Sequence, residues 1–425
     1  MTTVVLLGTL DTKGAEYEFV RQRLRQLGCE VVVVDAGTLG QARHPVDIGP
    51  DDVAAAAGFE RTSLAAAGDR GAAMAAMSAG AARIVLRLHA DGRLDGILAL
   101  GGSGGAALGS AAMRALPIGV PKLIVSTMAA GDTRPYVGES DIAMLYPVVD
   151  IAGINRVSAR ILGNAAAAIA GMAGAAANEA TSHPAGSEVN LRPLVAATMF
   201  GVTTPCVTAA RERLEALGYE VLVFHATGSG GRAMEALIRS DSIAGVLDAT
   251  TTELADEIGG GVLSAGPERL EAAGLAGVPQ VVSLGALDMI NFGPLETVPG
   301  AFRSRLLHVH NSSVTLMRTT PEQNATLGGL IAQKVNAAKG PVSVFIPTGG
   351  VSMIDAPGQP FHDPVADAAL FDSLRAGLRE DIERVEMAVN INEPSFGRAM
   401  ADRLHELIGL HQSEPLQAAA AGGGQ

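Results

Sequence analysis

The residues best suited to chemistry lie in short polar loops that follow apolar runs. The sharpest is Gly101-Gly102-Ser103-Gly104-Gly105, which ends one apolar run and opens a helix-like stretch. Its four glycines let the backbone approach a ligand closely, and Ser103 adds a hydroxyl. The N–H groups and positive dipole end of the following helix suit a phosphate. The run is not a Walker A loop, which needs Gly-Lys-Ser/Thr, nor a complete GxGxxG. An earlier loop, "GTLDTKG" (8–14), offers Thr9 and Lys13 to a phosphate, with Asp11 expected to cap the next helix. Asp35 closes the second apolar run, the place of a ribose-binding carboxylate in nucleotide folds. A third cluster, "STMAAGDTRPYVGESD" (126–141), gathers Ser126, Thr127, Asp132, Thr133, Arg134 and Glu139. Arg134 has the fork to clamp a phosphate or carboxylate, and Asp132 and Glu139 have the hard oxygens that magnesium prefers. Each feature also has a plainer reading. Residues 101–105 make a tight strand-to-helix turn, 126–141 an ordered loop with internal salt bridges, and Asp35 a turn residue.

The C-terminal half carries its own set. "HATGSGG" (225–231) is a weaker Gly-rich loop opening a helix. "DATTTELADE" (248–257) reads as a helix start capped by Thr251 or Thr252, with Glu253 and Asp256 in the first turn. "PTGGVSMIDAPGQPFHDP" (347–364) places His362 with Asp355 and Asp363, the best general-base arrangement in the chain, and catalysis is expected of these three. A solvent-exposed His near Asp is the bland alternative. Cys206 reads as a small buried residue rather than an activated thiol. His308 and His310 alternate on one strand but lack companions at zinc-ligand spacing.

Elements that would hold these loops follow from the pattern. Strand-like "VVLL" (4–7), "VVVV" (31–34), "GILAL" (96–100) and "KLIVS" (122–126) alternate with helix-like stretches, which predicts a parallel sheet covered on both faces. After the polar stretch 178–190, read as a linker, the order repeats. "LVAATMFGVTTPCVTAARERLEALGYEVLVFHATG" parallels residues 3–38, "AGVLDATTTELADE" parallels "DGILALGGSGGAAL", and "AGVPQVVSLGALD" parallels "IGVPKLIVSTMAAGD". The fold expected is α/β, two Rossmann-like parallel-sheet domains related by internal duplication, at 1–180 and 181–412. Further strands are expected at 305–311, 342–347 and 385–391, and a disordered low-complexity tail at 413–425.

Composition excludes several classes. A net charge of −13, 3% aromatic residues and no Trp leave no basic or stacking face for nucleic acid. Two distant cysteines fit a reducing compartment. The N-terminus has no basic segment ahead of its apolar run, and Ile161–Ala177 reads as a packed helix rather than a membrane span. A cytoplasmic protein with no membrane partner is expected.

The motifs taken together carry a resemblance. "GTLDTKGAEYEFVR", "GGSGG", "PKLIVSTMAAGDTRPYVGESDIAMLYPVVDIAGINR", "GVLDATTTELADEIGGGVLSAGPERLEAAG" and "FIPTGGVSMIDAPGQPFHDPVAD" are similar to the family of the tomato mosaic virus resistance protein's inhibitory domain, over residues 2–409. The resemblance implies a two-subdomain Rossmann-like fold, ATP binding and a homodimer. In the plant protein this region precedes a TIM-barrel-like module, so the chain resembles the stand-alone bacterial form. The reading is therefore an ATP-binding protein, with magnesium, and an enzyme acting on a small acid metabolite is one outcome. A non-catalytic nucleotide-responsive regulator or interaction module is the alternative. A dehydrogenase using NAD would need a glycine fingerprint after the first strand, which "GTLDTKG" does not supply.

Overall fold

The computed structural model describes residues 2–38, 40, 44–182, 192–239 and 243–422. The chain divides into two compact units, Met1–Val189 and Asn190–Gln425. In the first, five strands form one sheet: β1 (Thr3–Gly8), β2 (Glu30–Asp35), β3 (Gly96–Gly101), β4 (Lys122–Ser126) and β5 (Ala143–Leu145). Their order is β2-β1-β3-β4-β5 and every pairing is parallel. Side chains alternate between the faces. Val5, Leu7, Ile97 and Ala99 meet helices Arg70–Ala90 and Ser103–Ala115. Val4, Leu6, Leu98 and Leu100 meet helices Leu10–Gln26 and Arg156–Ser182. Burial on both sides is why these strands read as unbroken apolar runs.

Helices Arg70–Ala90 and Arg156–Asn178 are long and apolar enough to cross a membrane by length and composition alone. Each instead lays one stripe on the sheet: Met77, Ile84 and Leu88 on one face, Leu162, Ile169 and Ala173 on the other.

The second unit repeats the plan and extends it. Its parallel sheet contains β6 (Leu194–Met199), β7 (Glu220–His225), β8 (Gly245–Thr250) and β9 (Gln280–Gly285). Three antiparallel strands follow, β10 (Met289–Phe292), β11 (Leu307–Asn311) and β12 (Val314–Arg318), and then β13 (Val342–Pro347) and β14 (Glu383–Met387) rejoin the main sheet. The main order is β14-β13-β9-β8-β6-β7 and the small sheet is β10-β12-β11.

The internal duplication is visible in register as well as in order. Val4 pairs with Gly96 in the first unit, and Val195 with Gly245 at the matching position of the second. Both glycines are needed for the same reason. A Cβ on Gly96 would stand 3.0 Å from Ala173, and one on Gly245 2.6 Å from Ile408, so each lets the last helix of its unit lie on the sheet.

The structure departs from the expected ends of the units. Residues 178–182 of the expected linker continue helix Arg156–Ser182, and 183–190 lie outside the described residues. Helix Pro394–Gly422 runs through most of the tail expected to be disordered, because its alanines are the strongest helix formers whatever their low complexity. Residues 423–425 lie outside the described residues.

Candidate functional site

In the order β2-β1-β3 the chain crosses over between β1 and β3, and ligands of open parallel sheets bind beyond the carboxyl ends at such a point. Pairing of β1 with β3 ends at Leu7 and Ala99. The backbone groups freed there are taken up by one side chain. The Tyr17 hydroxyl donates to the Leu7 carbonyl at 2.6 Å, lies 3.1 Å from the Leu100 carbonyl, and accepts from the Leu100 N–H at 2.8 Å. Burial raises its pKa, so it stays a neutral phenol. Any Cβ on Gly8 would collide with this ring.

Directly above lies a cavity of about 400 Å³, within the range of small-molecule sites. Thr9, Lys13 and the whole run Gly101–Gly105 line it, so two loops separated by about ninety residues converge as the sequence suggested. The N-termini of helices Leu10–Gln26 and Ser103–Ala115 meet there; the first has its Leu10 N–H on Asp35, and the second has no side-chain cap. The N–H groups of Ser103, Gly104 and Gly105 have no acceptor among the described residues; the first backbone bond of that helix is Ala106 N–H to the Gly102 carbonyl. Lys13 enters the same space with its ammonium on the Ile151 carbonyl.

The glycines divide into two kinds. Gly101 has φ of +155°, and a Cβ on Gly105 would stand 2.9 Å from the Leu100 carbonyl oxygen, so these two are required by the turn. Gly102 and Gly104 are different. The nearest atom to a Cβ on Gly104 is the Met74 methyl at 3.9 Å, and on Gly102 the Thr127 hydroxyl at 3.9 Å. The fold leaves room for a side chain at both, and that room is the cavity wall.

The remaining expected ligand residues do not line this cavity. Asp35 is fully buried, and its Oδ1 accepts the N–H groups of Leu10 and Gly37, each at 2.9 Å. It therefore replaces Asp11 as the carboxylate that satisfies the helix start, and burial raises its pKa. Ser126 is buried and accepts the Met128 N–H at 3.1 Å. Thr127 lies beside Gly102, and Thr133 starts the short helix Arg134–Val137.

Arg134 grips Asp132 rather than a ligand. Its Nε and Nη2 donate to the two carboxylate oxygens at 2.9 and 2.7 Å on the exposed surface. The guanidinium holds the Asp132 carboxyl down to about 2. Asp132 and Glu139, the two residues expected to hold magnesium, do not line this cavity. Among the described residues no group of three or more His, Cys, Asp or Glu is arranged to hold a metal. Asp11 also lines the cavity, and so do Asp150, Asp69, Arg70, Thr38, Leu64, Ala73 and Met74, which were not singled out in the sequence. Only Asp69 had a local signal, as the N-cap of helix Arg70–Ala90 accepting from Ala72 N–H at 3.0 Å.

At the corresponding position of the second unit the space is filled from within. Gly104 and Glu253 each lie eight residues after the glycine that opens β3 or β8. The buried Glu253 carboxylate accepts the N–H groups of Gly228 and Gly231, at 2.6 and 3.1 Å, at the start of helix Ser229–Ile238. It also accepts Arg269 Nε at 2.6 Å, and Arg269 forks onto Asp248 at 2.5 and 2.7 Å. The "HATGSGG" loop thus already holds an anion, one supplied by the chain itself. The expected Thr cap is corrected as well. Thr251 donates to the Ser283 carbonyl, Thr252 makes no cap bond, and Glu253 and Asp256 point inward. Burial pushes Asp256 up to about 7.

The three residues expected to be catalytic share no hydrogen bond with one another among the described residues. Asp363 caps helix Pro364–Gly377, accepting the N–H groups of Val365 and Ala366 at 3.1 Å each. Asp355 is fully buried, with Oδ2 on the Val351 N–H at 2.9 Å. His362 alone is exposed, on the wall of a second cavity. Cys206 is buried as expected, which pushes its thiol up to about 12.

Residues 2–178 match the N-terminal domain, and residues 192–408 the C-terminal domain, of the uncharacterised protein family UPF0261. A UPF0261 protein of Clostridium tetani is 52% identical over 406 residues, covering 95% of this chain and 98% of that protein. The ToMV resistance protein Tm-1 of Solanum lycopersicum is 43% identical over 422 residues, covering 95% of this chain and 55% of the plant protein. Among solved structures, Neisseria meningitidis UDP-GlcNAc 2-epimerase bound to UDP-GlcNAc aligns over 66% of this chain and 82% of its own, at 9% identity and a TM-score of 0.22, too low to carry an argument. The resemblance seen in the motifs holds: the chain belongs to the UPF0261 family, which it shares with the tomato resistance protein.

Proposed function

We propose that the first unit binds a nucleotide, ATP by preference, with its phosphates on the loop Gly101–Gly105. One observation carries this reading: the N-terminus of helix Ser103–Ala115, with three N–H groups that have no acceptor among the described residues, and Lys13 face one cavity. Oriented amides and helix dipoles favour a polyanion even in a protein of net charge −13. Leu64, Ala73 and Met74 supply an apolar wall for a base. The preference for ATP comes from the family resemblance. Calorimetric titration with ATP, ADP and NAD, each with and without magnesium, tests it. ATP binding with NAD inert supports the reading, and no nucleotide binding returns the glycines to a turn.

Whether ATP is consumed divides two readings. An ATP-dependent enzyme acting on a small acid metabolite is the first. The second, a nucleotide-responsive regulator without turnover, is favoured by the cavity's lysine, whose ammonium is already engaged by the Ile151 carbonyl. Phosphate release with and without added small acids separates them. The homodimer implied by the family is read by light scattering in the presence and absence of ATP.

A further inference from the structure

We propose that Arg70 clamps the outermost phosphate of the bound nucleotide and is the residue by which the first unit tells ATP from ADP. The inference rests on the nucleotide reading above and adds to it a contact that the glycine loop and Lys13 do not supply. Arg70 opens helix Arg70–Ala90 and lines the same cavity of about 400 Å³ as Gly101–Gly105.

The helix's own pattern places the arginine inward. Ala73, Met77, Ala81 and Ile84 belong to the stripe that this helix buries, and Arg70 lies on the same stripe, one turn before Ala73 and two before Met77. Where a helix covers a sheet, such a position calls for an apolar residue. Arg70 is exposed instead, because the stripe has there passed the carboxyl ends of the strands and meets the cavity. Met74 fixes the height. Its methyl is the nearest atom, at 3.9 Å, to a Cβ on Gly104. A residue four positions earlier on a helix lies about 5–6 Å away, and helical side chains lean toward the N-terminus. The Arg70 side chain therefore starts one turn outside the amides of Ser103, Gly104 and Gly105, on the side where the last phosphate of a chain laid on them would lie.

Charge points to the same residue. Of the cavity's two cations, Lys13 has its ammonium on the Ile151 carbonyl, whereas Arg70 has no hydrogen bond or ion pair among the described residues. Asp11, Asp69 and Asp150 share the wall. One oxygen of Asp69 is spent on the Ala72 N–H and one of Asp150 on the Ile151 N–H, but their charges remain. A triphosphate entering beside them needs a cation free to meet it, and a guanidinium can fork onto two of its oxygens. The second unit shows such an arrangement complete. Its built-in anion, Glu253, rests on the Gly228 and Gly231 amides and is gripped by Arg269 at 2.6 Å. The first unit offers the same two partners, loop amides and an arginine, to an anion from outside.

The test is calorimetry with ATP, ADP and AMP, magnesium present throughout, on the full chain and on its Arg70→Gln and Arg70→Lys variants. A charge-assisted hydrogen bond to the last phosphate corresponds to a roughly tenfold to 100-fold change in affinity, and the wild type should prefer ATP over ADP by about that factor. Arg70→Gln should weaken ATP to the same extent, leave ADP and AMP within about threefold of the wild type, and so erase the preference. Arg70→Lys keeps the charge without the fork and should fall between the two. The position is exposed and glutamine is as good a helix former as arginine, so the urea midpoint should not move. A wild type with no preference for ATP over ADP, or unchanged ATP affinity in Arg70→Gln, would overturn the proposal. So would an equal loss for all three nucleotides, which would put the side chain on the base or ribose. Those outcomes leave the nucleotide reading standing, whereas a wild type that binds none of the three overturns both.

Discussion

Replacing Gly104 with tryptophan separates a ligand-binding glycine from a turn glycine more cleanly than any other change. The nearest atom to a Cβ at this position is a flexible methionine methyl at 3.9 Å, so the backbone accepts a side chain without moving. Loss of a glycine from a first helical turn is neutral or favourable, and stability should change by no more than about 0.5 kcal/mol. The indole then occupies the cavity where the phosphates would approach Ser103, Gly104 and Gly105 N–H. A hydrogen bond to a charged group contributes about 1.5–3 kcal/mol, so losing two of these costs about 3–6 kcal/mol. That corresponds to roughly a 100-fold to 10,000-fold weaker ATP complex. Calorimetry measures the affinity and a urea titration of the same preparation measures the fold. Gly105→Ala is the contrasting control, because its methyl would press on the Leu100 carbonyl at 2.9 Å and should lower the urea midpoint. A Gly104→Trp protein that melts like the wild type and binds ATP within about threefold of it would refute the argument that this loop cradles phosphate.

Lys13→Ala removes the one cation that the first helix brings to the cavity, and ATP affinity should fall roughly tenfold to 100-fold, the loss shrinking as salt is added during calorimetry. Arg269→Ala strips the buried counter-charge from Asp248, Glu253 and Glu235 and should cost about 3–5 kcal/mol, read as a lower urea midpoint. The pH dependence of stability should run opposite to that of a protein stabilised by surface carboxylates. Asp256 and Asp288 have folded pKa values of about 7 and about 8, above the ordinary 3.8, so the folded chain holds protons that the unfolded chain has released. Their contribution is complete below the ordinary value and is lost as pH rises through 7 and 8. Urea midpoints should therefore fall across that window, and Asp288→Asn should flatten the fall and exceed the wild type at the alkaline end.

The strands and the duplication were legible because both are written in local patterns. Four-residue apolar runs mark strands buried on two faces, and matched segments in the same order need no knowledge of contacts. The convergence of "GTLDTKG" with "GGSGG" was legible for a topological reason, since loops after neighbouring strands must meet at one end of the sheet. Roles of single charged residues were not legible. Arg134 and Asp132 sit two positions apart, and that spacing serves a ligand clamp and a self-satisfied turn equally well. Asp35 stands where a ribose carboxylate would, but its oxygens are spent on the backbone that shapes the loop. Asp288, Arg318 and Asp367 are far apart in sequence and become one cluster only when three elements pack together, so no spacing rule could have joined them to Asp355.

The two halves show what duplication left free to change. Each presents amide groups beyond the carboxyl end of its sheet, and an anion must satisfy them or they stay exposed. In the second unit the anion is covalently part of the chain: Glu253 lies on the Gly228 and Gly231 N–H groups, locked by Arg269. A Cβ at Gly231 would strike that carboxylate, so the loop is shaped around it. In the first unit the position corresponding to Glu253 is Gly104, which brings no carboxylate, and the space between the loops after β2 and β3 is an open cavity lined by Thr38 and by Gly101 to Gly105. A glycine in place of a glutamate thus trades a built-in anion for room to admit one from outside. The same comparison predicts one nucleotide per chain rather than two. Calorimetric stoichiometry reads that number directly, and a second equivalent site would mean that Glu253 can be displaced by phosphate.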